Sequence, residues 1–401
     1  MVVYKYSGRT SRGTVKKGIV DATNKQMAIS KLRTQGINPR EIEESKSILH
    51  KELSLGGKVR NQDFVIYSRQ FATLIRAGVS ILESTKILAD QTTSKPLKRG
   101  LQDVEESVRS GLSFSDAAAK NSKVFPSLFV NMVRAGEATG NLDESLERLA
   151  FSYEKQFNLK KKVQSTMAYP VVLLFLTLVV SVFLMLTIVP QFVTMFEDMG
   201  AELPTITKVV MGVSESLQSS WYIYMSLFLI LVIVFNFLYK KNEQFNYSVH
   251  LFLLKVPVFG KLLQKSAIAR MTRTLSSLFS SSVPILQALT IVEKVIGNPV
   301  VSKVVRESRT SLEQGSTLSA PLEKSWIFPP LVTQMTSIGE STGSLDYMLE
   351  KIADFYEDDV DRTVDTLKSL IEPLMIVFLA AIIGTIVMAI MIPMFSMYEQ
   401  I

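Results

Sequence analysis

The feature that most constrains the fold is a set of three long apolar runs that contain no charged residue. They are Val171 to Val189, Trp221 to Tyr239 and Pro373 to Tyr398. A stretch of about 18 or more apolar residues is long enough to cross a hydrocarbon core of about 30 Å as a helix. A buried core helix is the alternative, but core helices of this length usually carry a charge. The sequence therefore predicts a mainly α, polytopic membrane protein with transmembrane helices at 170–190, 221–239 and 373–397.

The charges beside these runs predict the orientation. Lys160, Lys161 and Lys162 precede the first run, and Lys240 and Lys241 follow the second. Between the two runs, residues 191–220 hold one basic residue against four acidic ones. Basic flanks stay on the cytoplasmic side, and the first residues lack the pattern of a signal peptide. We therefore expect a cytoplasmic N-terminus, an extracytoplasmic loop at 191–220 and a C-terminus outside.

An internal repeat sets the domain organisation. The segment GEATGNLDESL (136–146) recurs as GESTGSLDYML (339–349), and residues 132–153 and 335–356 share 11 identities in 22 positions. Pro170 and Pro190 recur as Pro373 and Pro393. The repeating unit is thus a domain of about 100 residues followed by one span, at 60–169 and at 262–372. Two units that cross the membrane in the same sense need one returning helix, and the run at 221–239 supplies it.

Local patterns predict the class of each domain. Leu142, Leu146, Leu149 and Tyr153 recur at three and four residues, which is the period of an amphipathic helix. We therefore expect each repeated domain to be a helical bundle. The opening segment alternates in VVYKYSG and contains a short helical pattern, which predicts a small α+β cap at 1–55. That cap holds 11 Lys and Arg against 5 Asp and Glu, a basic surface suited to lipid headgroups or an acidic partner.

The repeated motif predicts a corner between two helices. Gly136 and Gly140 are expected to bracket a helix end and a tight turn, because glycine adopts left-handed conformations without a steric penalty. Asn141 is expected to cap the next helix, with Glu144 three residues later as in a capping box. In the second copy, Ser344 takes the cap position.

Two acidic features of the motif invite a functional interpretation. Glu137 and Glu340 lie at helix ends where the dipole disfavours an anion, so we expect them to accept hydrogen bonds from a neighbouring helix or a partner chain. Asp143 and Glu147 stand four residues apart, where like charges repel and a hard cation with oxygen ligands could bind. A solvated helix face is the alternative for this pair.

The sequence lacks the usual patterns of catalytic chemistry. There is no G-x-x-x-x-G-K-[ST] loop, no H-E-x-x-H and no G-x-S-x-G, and cysteine is absent. The three apolar runs contain none of the charges that mark transporters and proton relays. We therefore predict a protein that is not an enzyme. A small membrane transporter and a membrane-anchored signalling scaffold are the alternatives to a mechanical role.

The doubled GE-x-T-G-x-L-D motif and the prolines at the span ends resemble the type II secretion system F-protein family. That family includes the inner-membrane platform proteins of type IV pili and competence pseudopili. The resemblance implies two cytoplasmic six-helix domains and three spans in a bacterial inner membrane. It also implies a structural or partner role for the shared residues of the two copies: Gly136, Glu137, Gly140, Leu142, Gly339, Glu340, Gly343, Leu345, Pro170, Pro190, Pro373 and Pro393.

The resemblance further implies partners. A platform protein of this family is expected to form a homo-oligomer between a cytoplasmic assembly ATPase and pilin or pseudopilin subunits, together with other inner-membrane assembly proteins and membrane lipids. No direct contact with nucleic acid is expected. Calcium, held by Asp143 and Glu147, is the single cofactor that the resemblance suggests.

Overall fold

The structure is a computed structural model, and it describes residues 2–10, 15–22, 25–34, 36–44, 58–198, 204–257 and 259–398. Across these residues the chain is predominantly helical, with a small N-terminal sheet. The predicted fold class is therefore confirmed. The C-terminal end of the predicted cap and the last residues, 399–401, lie outside the described residues.

The N-terminal cap is a three-stranded antiparallel sheet covered by one helix. Strands β1 (Val2–Thr10), β2 (Val15–Ala22) and β3 (Ile37–Glu44) lie in the order β2-β1-β3, and α1 (Lys25–Thr34) joins β2 to β3. Its core consists of Tyr4, Tyr6, Ala28, Leu32, Ile37 and Ile42. Strand β3 was not predicted from the sequence, because Pro39 and the charged residues obscure the alternating pattern of a strand. Proline is tolerated there because β3 lies at the edge of the sheet.

Bundle 1 contains six helices. Serine side chains cap the N-termini of two of them. Ser80 Oγ accepts a hydrogen bond from the N–H of Glu83 at 3.2 Å, and Ser113 Oγ accepts one from the N–H of Asp116 at 3.1 Å. The helices are α2 (Asn61–Arg76), α3 (Ile81–Gln91), α4 (Lys95–Arg109), α5 (Phe114–Lys120), α6 (Ser127–Thr139) and α7 (Leu142–Phe183).

Bundle 2 repeats this order of six helices and places the same positions in its core. Phe71 and Phe114 of bundle 1 are fully buried, and their counterparts Leu275 and Leu318 are buried as well. At these two positions the second copy therefore keeps the burial and exchanges an aromatic for an aliphatic side chain. Its helices are α11 (Phe259–Ser280), α12 (Ile285–Val295), α13 (Pro299–Glu313), α14 (Ser319–Glu323), α15 (Pro330–Thr342) and α16 (Leu345–Tyr398).

Two helices without a counterpart in the repeat connect the bundles. Helix α9 (Thr205–Lys241) includes the apolar run 221–239, and α10 (Glu243–Lys255) follows it after Asn242. The Asn242 side chain caps α10 by accepting from the N–H groups of Gln244 and Phe245, both at 3.0 Å. Leu254 of α10 belongs to the same core as bundle 2, so this domain begins before the predicted boundary at residue 262.

Among the described residues, three helices are long and apolar enough to cross a membrane. In their most apolar windows only 6%, 0% and 17% of the residues are buried inside the chain. Those surfaces are therefore left for lipid or for other membrane helices, as multi-pass proteins require. All four repeated prolines lie within helical segments, and three of them, Pro170, Pro373 and Pro393, lie inside α7 or α16.

The segment predicted as a loop, 191–220, is largely helical in its described part. A single π-helical turn (Leu184–Ile188) leads from α7 into α8 (Val189–Asp198), and α9 begins at Thr205. A kink at Ser220, with φ −124° and ψ 15°, separates the start of α9 from its apolar run. This part is helical because α8 and the start of α9 bury Val189, Val193 and Val210 against Ile386 and Ala389 of α16. Its extracytoplasmic position stays a prediction.

Hydroxyl groups of α9 bind carbonyl groups that the repeated prolines leave free. Proline has no N–H, so Pro393 cannot donate to the carbonyl of Ala389 four residues earlier. Thr207 Oγ1 donates to that oxygen at 2.8 Å. In the π turn the partner is five residues earlier, so Pro190 leaves the carbonyl of Met185 free. Ser214 Oγ donates to it at 2.5 Å.

These two hydrogen bonds, which we call the hydroxyl clasp, join α9 to both repeated spans. Thr207 and Ser214 are seven residues apart, which places them on one face of α9, two turns from each other. Unsatisfied backbone carbonyls are costly in a membrane because no water can reach them. The returning helix therefore satisfies the backbone at two of the four positions where a repeated proline interrupts the hydrogen-bond ladder.

We expect the double variant Thr207→Val, Ser214→Ala to lower the free energy of unfolding by about 1–2 kcal/mol, because membrane hydrogen bonds contribute roughly 0.6 kcal/mol each and the orphaned carbonyls add to that. Thermal unfolding of the detergent-purified protein measures the change. The matched control is Thr194→Val, Ser226→Ala, since both of these hydroxyls bond only carbonyls of their own helix. Equal losses in the two double variants would contradict the hydroxyl clasp.

Candidate functional site

The repeated motif forms the same helix corner in both bundles. In corner 1 (residues 136–146), α6 ends at Thr139, Gly140 adopts φ +79°, and α7 begins at Leu142. In corner 2 (residues 339–349), Gly343 adopts φ +72° between α15 and α16. A residue with a side chain is strained at such a φ. The turn glycine of each motif is therefore required by backbone conformation, as the sequence predicted.

The other glycine of each motif allows two helices to approach closely. Gly136 lies inside α6, and a Cβ atom added there would be 2.9 Å from Ser145 Oγ and 3.0 Å from Leu142 Cα. A Cβ on Gly339 would be 3.0 Å from Leu345 Cα and 3.1 Å from Met348 Cβ. The prediction that Gly136 helps to form the turn was therefore wrong. Its role is steric, since the helix that leaves the corner packs directly over it.

The glutamate of each motif caps a short helix. Glu137 Oε1 accepts from the N–H of Phe114 at 2.8 Å, and Oε2 accepts from the N–H of Ser115 at 3.2 Å. In corner 2, Glu340 accepts from the N–H groups of Leu318 and Ser319 at 2.6 and 3.3 Å. Each carboxylate thus lies at the N-terminus of α5 or α14, where the helix dipole favours negative charge. Of the two predicted types of partner, the described structure shows the neighbouring helix.

The predicted capping box at Asn141 is absent. The Asn141 side chain makes no capping hydrogen bond, and Glu144 instead accepts from Arg148 Nη2 at 2.8 Å. Asn141 has φ −103° and ψ 50°, which differs from the extended backbone that an N-cap residue normally adopts. The tight turn after Gly140 therefore prevents Asn141 from reaching the first N–H groups of α7. Leu142 and its counterpart Leu345 both pack against the core.

Asp143 and Glu147, the residues predicted to hold calcium, lie in different surroundings. Glu147 Oε1 lies 2.6 Å from Arg69 Nη1, and Glu147 Oε2 lies 3.2 Å from Arg76 Nη2. Asp143 is exposed to solvent. Within the described parts of the chain, no group of three or more His, Cys, Asp or Glu side chains could hold a metal ion. Two guanidinium groups already occupy the Glu147 carboxylate, so the arrangement does not fit calcium at this pair.

The repeat also conserves an ion pair that the sequence analysis missed. Arg69 Nε donates to Glu154 Oε1 at 2.7 Å, joining the first helix of bundle 1 to α7. Arg273 Nε donates to Glu357 Oε1 at 2.9 Å, joining the first helix of bundle 2 to α16. Arg69 aligns with Arg273 in the repeat, and Glu154 and Glu357 each follow the last residue of the aligned windows. Extending those windows by one residue would have revealed the pair.

The two ion pairs differ in burial. The Arg69 and Glu154 side chains are 31% and 34% exposed, whereas those of Arg273 and Glu357 are 6% and 14% exposed. The hydrogen bond from Arg69 holds the pKa of Glu154 below its ordinary value. Burial opposes the charge of Arg273, but its hydrogen bonds to Glu357 and Asp354 outweigh burial and hold its pKa above the ordinary value. Both shifts favour the charged forms of Glu154 and Arg273.

A seam between α7 and α16 continues from the bundles to the spans. Lys162 Nζ lies 3.2 Å from Asp361 Oδ1 and 3.3 Å from Asp365 Oδ2. Beside these charges, apolar side chains of α7, α11 and α16 form a cluster: Leu159, Val163, Met167, Leu262, Val360, Val364, Leu367 and Ile371. The two long helices are thus fixed to each other just before Pro170 and Pro373, where the apolar runs begin.

These features define a multi-pass membrane protein in which two copies of a helical bundle each continue into one span. Models of the type II secretion system protein F match residues 67–190 and 271–393, and the model of the N-terminal domain of that protein matches residues 1–43. Both longer matches end at a repeated proline. The chain belongs to the type II secretion system protein F family.

Relatives match over nearly the full length of the chain. It is 38% identical over 400 residues to the type IV pilus assembly protein PilC of Thermus thermophilus, which covers 99% of this chain and 98% of that protein. It is 36% identical to the PilC protein of Myxococcus xanthus, with 98% and 94% covered. It is 30% identical to the type II secretion system protein F of Pseudomonas aeruginosa, with 100% of both covered.

Glu137→Ala is expected to lower the free energy of unfolding by about 1 kcal/mol, the usual effect of losing a helix cap. Glu340→Ala should have a similar effect in bundle 2. Hydrogen exchange should also accelerate at the amides of Phe114 and Ser115 in the first variant and of Leu318 and Ser319 in the second. The control Glu144→Ala removes a carboxylate that bonds only Arg148 of its own helix. If the four amides exchange as in the parent protein, the capping role is wrong.

Arg273→Gln should destabilise the protein more than Arg69→Gln. Removing one partner of a buried pair leaves an uncompensated charge and costs about 3–5 kcal/mol, whereas a pair that is about one-third exposed is worth roughly 1 kcal/mol or less. Thermal unfolding followed by circular dichroism compares the two variants directly. Similar losses in both would show that burial of the second pair does not govern its contribution.

Proposed function

We propose that this chain is the platform protein of a type IV pilus-like or type II secretion machine in a bacterial cytoplasmic membrane. It transmits work from a cytoplasmic assembly ATPase to pilin-like subunits that leave the bilayer. The observation that carries the proposal is the unbroken connection from each bundle to its span. Helix α7 runs from corner 1 to Phe183, and α16 runs from corner 2 to Tyr398. Family membership and the names of the relatives support the same role.

The length of these helices suits them to carry a displacement. At 1.5 Å per residue, the 42 residues of α7 span about 60 Å and the 54 residues of α16 about 80 Å. A continuous helix passes a displacement along its axis, whereas a flexible linker would absorb the motion. A force applied to either bundle is therefore delivered to the membrane segment of the same helix.

The ion pairs and the seam attach the rest of each bundle to its long helix, α7 or α16. Arg69 and Arg273 attach the first helix of each bundle to α7 and α16. The Lys162 contacts and the apolar cluster then hold the two long helices side by side. A push on one bundle consequently moves both spans together.

Charge supports the orientation that this mechanism needs. Lysines flank the first and second spans on the side of the bundles, so we infer that both bundles and the basic N-terminal cap face the cytoplasm. The ATPase would contact this side, other assembly proteins and further copies of the chain would contact the membrane helices, and the chain itself would perform no catalysis. Membership of the family favours this role over the transporter and the scaffold.

A flexible Gly/Ser segment inserted at Lys161 should abolish filament assembly in cells, because it uncouples bundle 1 from its span. Filaments are counted by electron microscopy, with the protein level and co-purification of the ATPase measured in parallel. The matched control places the same insert after Gly111, in a turn outside α7 where the backbone has φ +99°. Normal filaments from the Lys161 insertion, at a normal protein level, would contradict the coupling mechanism.

A further inference from the structure

A cavity of about 1070 Å³ opens beside the end of the second span. It lies between the last residues of α9, the first turns of α10 and the surface formed by α12 and α13. Its size is at the upper end of the roughly 300–1,000 Å³ that is typical of ligand pockets. Helices α9 and α10 have no counterpart in the repeat, so bundle 1 has no equivalent cavity wall.

The cavity is strongly basic. Five cationic side chains line it, with two carboxylates, Glu243 and Glu293, for a net charge of +3. Glu293 is already neutralised, because its oxygens lie 2.7 Å from Arg306 and 3.2 Å from Arg309. The four remaining cations make no salt bridge within the described parts of the chain: Lys240, Lys241, Lys294 and Lys303.

Aromatic rings position two of these lysines. Lys241 Nζ lies 4.8 Å from the centroid of the Phe237 ring, and Lys303 Nζ lies 5.8 Å from that of Tyr247. Cation–π contacts of this kind favour an ammonium group over the ring face. The lysines come from two separate parts of the fold, the end of a span and the surface of bundle 2, and the cavity brings them together around one space.

The position of the cavity identifies the kind of anion. The uncharged run of α9 ends at Tyr239, and Lys240 and Lys241 follow at once, which is the level at which a span meets lipid headgroups. Phe237, which lines the cavity, is 56% exposed, so the basic walls continue directly onto the lipid-facing surface of the span. A lipid can therefore place its phosphate in the cavity while its acyl chains stay beside α9.

We propose that this cavity binds the phosphate headgroup of an anionic phospholipid. A phosphate would supply the counter-charge for the four lysines, which make no salt bridge within the described parts of the chain. Basic pockets beside membrane helices bind such headgroups. A bound lipid would fix the junction of α9, α10 and α13, and hence hold bundle 2 at the membrane surface. A free phosphate ion shares this chemistry and is distinguished from the lipid by the experiment.

The test uses the full-length protein in an uncharged detergent, titrated with phosphatidylglycerol, phosphatidylcholine or inorganic phosphate, with binding measured by native mass spectrometry. We expect phosphatidylglycerol to be retained and phosphatidylcholine not. Lys294→Gln, Lys303→Gln should weaken phosphatidylglycerol binding about thirtyfold, as expected for two lysines at a membrane surface. Lys294→Arg, Lys303→Arg keeps the charge and should keep the binding.

The control is Lys95→Gln, Lys98→Gln on α4, the helix of bundle 1 that corresponds to α13, where the same charge is removed from residues that do not line the cavity. Its phosphatidylglycerol binding should match that of the parent protein. Equal binding by the Lys294, Lys303 double variant and the parent would overturn the proposal. Binding of inorganic phosphate as tight as that of phosphatidylglycerol would replace the lipid with a free anion and overturn it as well. Circular dichroism of each variant verifies that the fold is intact.

Discussion

The arrangement of both bundles depends on an arginine in the first helix that binds a carboxylate on the last. Arg69 with Glu154, and Arg273 with Glu357, join the two ends of each bundle in sequence. The helix that carries the carboxylate is also the helix that enters the membrane. Because a guanidinium binds both oxygens of a carboxylate in a fixed geometry, each pair orients the first helix of its bundle relative to α7 or α16. Close packing over Gly136 and Gly339 joins the preceding helix of each bundle to the same long helix.

The two repeated units alone would not form this fold, and the inserted helices α9 and α10 provide three features that it requires. The chain must return across the membrane before it can repeat, the prolines of the two spans leave carbonyls without donors, and the second bundle must be held to the first unit. Helix α9 returns the chain and supplies Thr207 and Ser214 to those carbonyls. Helix α10 adds Leu254 to the core of bundle 2. The part of the chain that is not repeated thus stabilises the parts that are.

Much of this fold follows from sequence patterns because those patterns are strong. The uncharged runs are long enough to cross a bilayer, and they predicted the three spans. The two copies share 11 identities in 22 positions, and this repeat predicted the two helical bundles and the turns at Gly140 and Gly343. Tertiary contacts explain the failures: helix packing needs Gly136, a tight turn displaces the Asn141 cap, and arginines bind Glu147. The helices at 189–198 and 205–220 were not predicted, because their stabilising apolar contacts are with α16, which is distant in sequence. The charges of this segment indicated only the side of the membrane.

The contact of Lys162 with Asp365 has a consequence for how such a protein can arise. The two positions are counterparts, 203 residues apart, and the helices that carry them run side by side in the same direction, with Lys162 Nζ 3.3 Å from Asp365 Oδ2. A position that faces its own counterpart lies at the contact between the two copies. In a dimer of identical units with this contact, both sides would carry the same charge and repel each other. Fusion into one chain frees the two sides to differ, so an attraction that no symmetric dimer can form at this position becomes available.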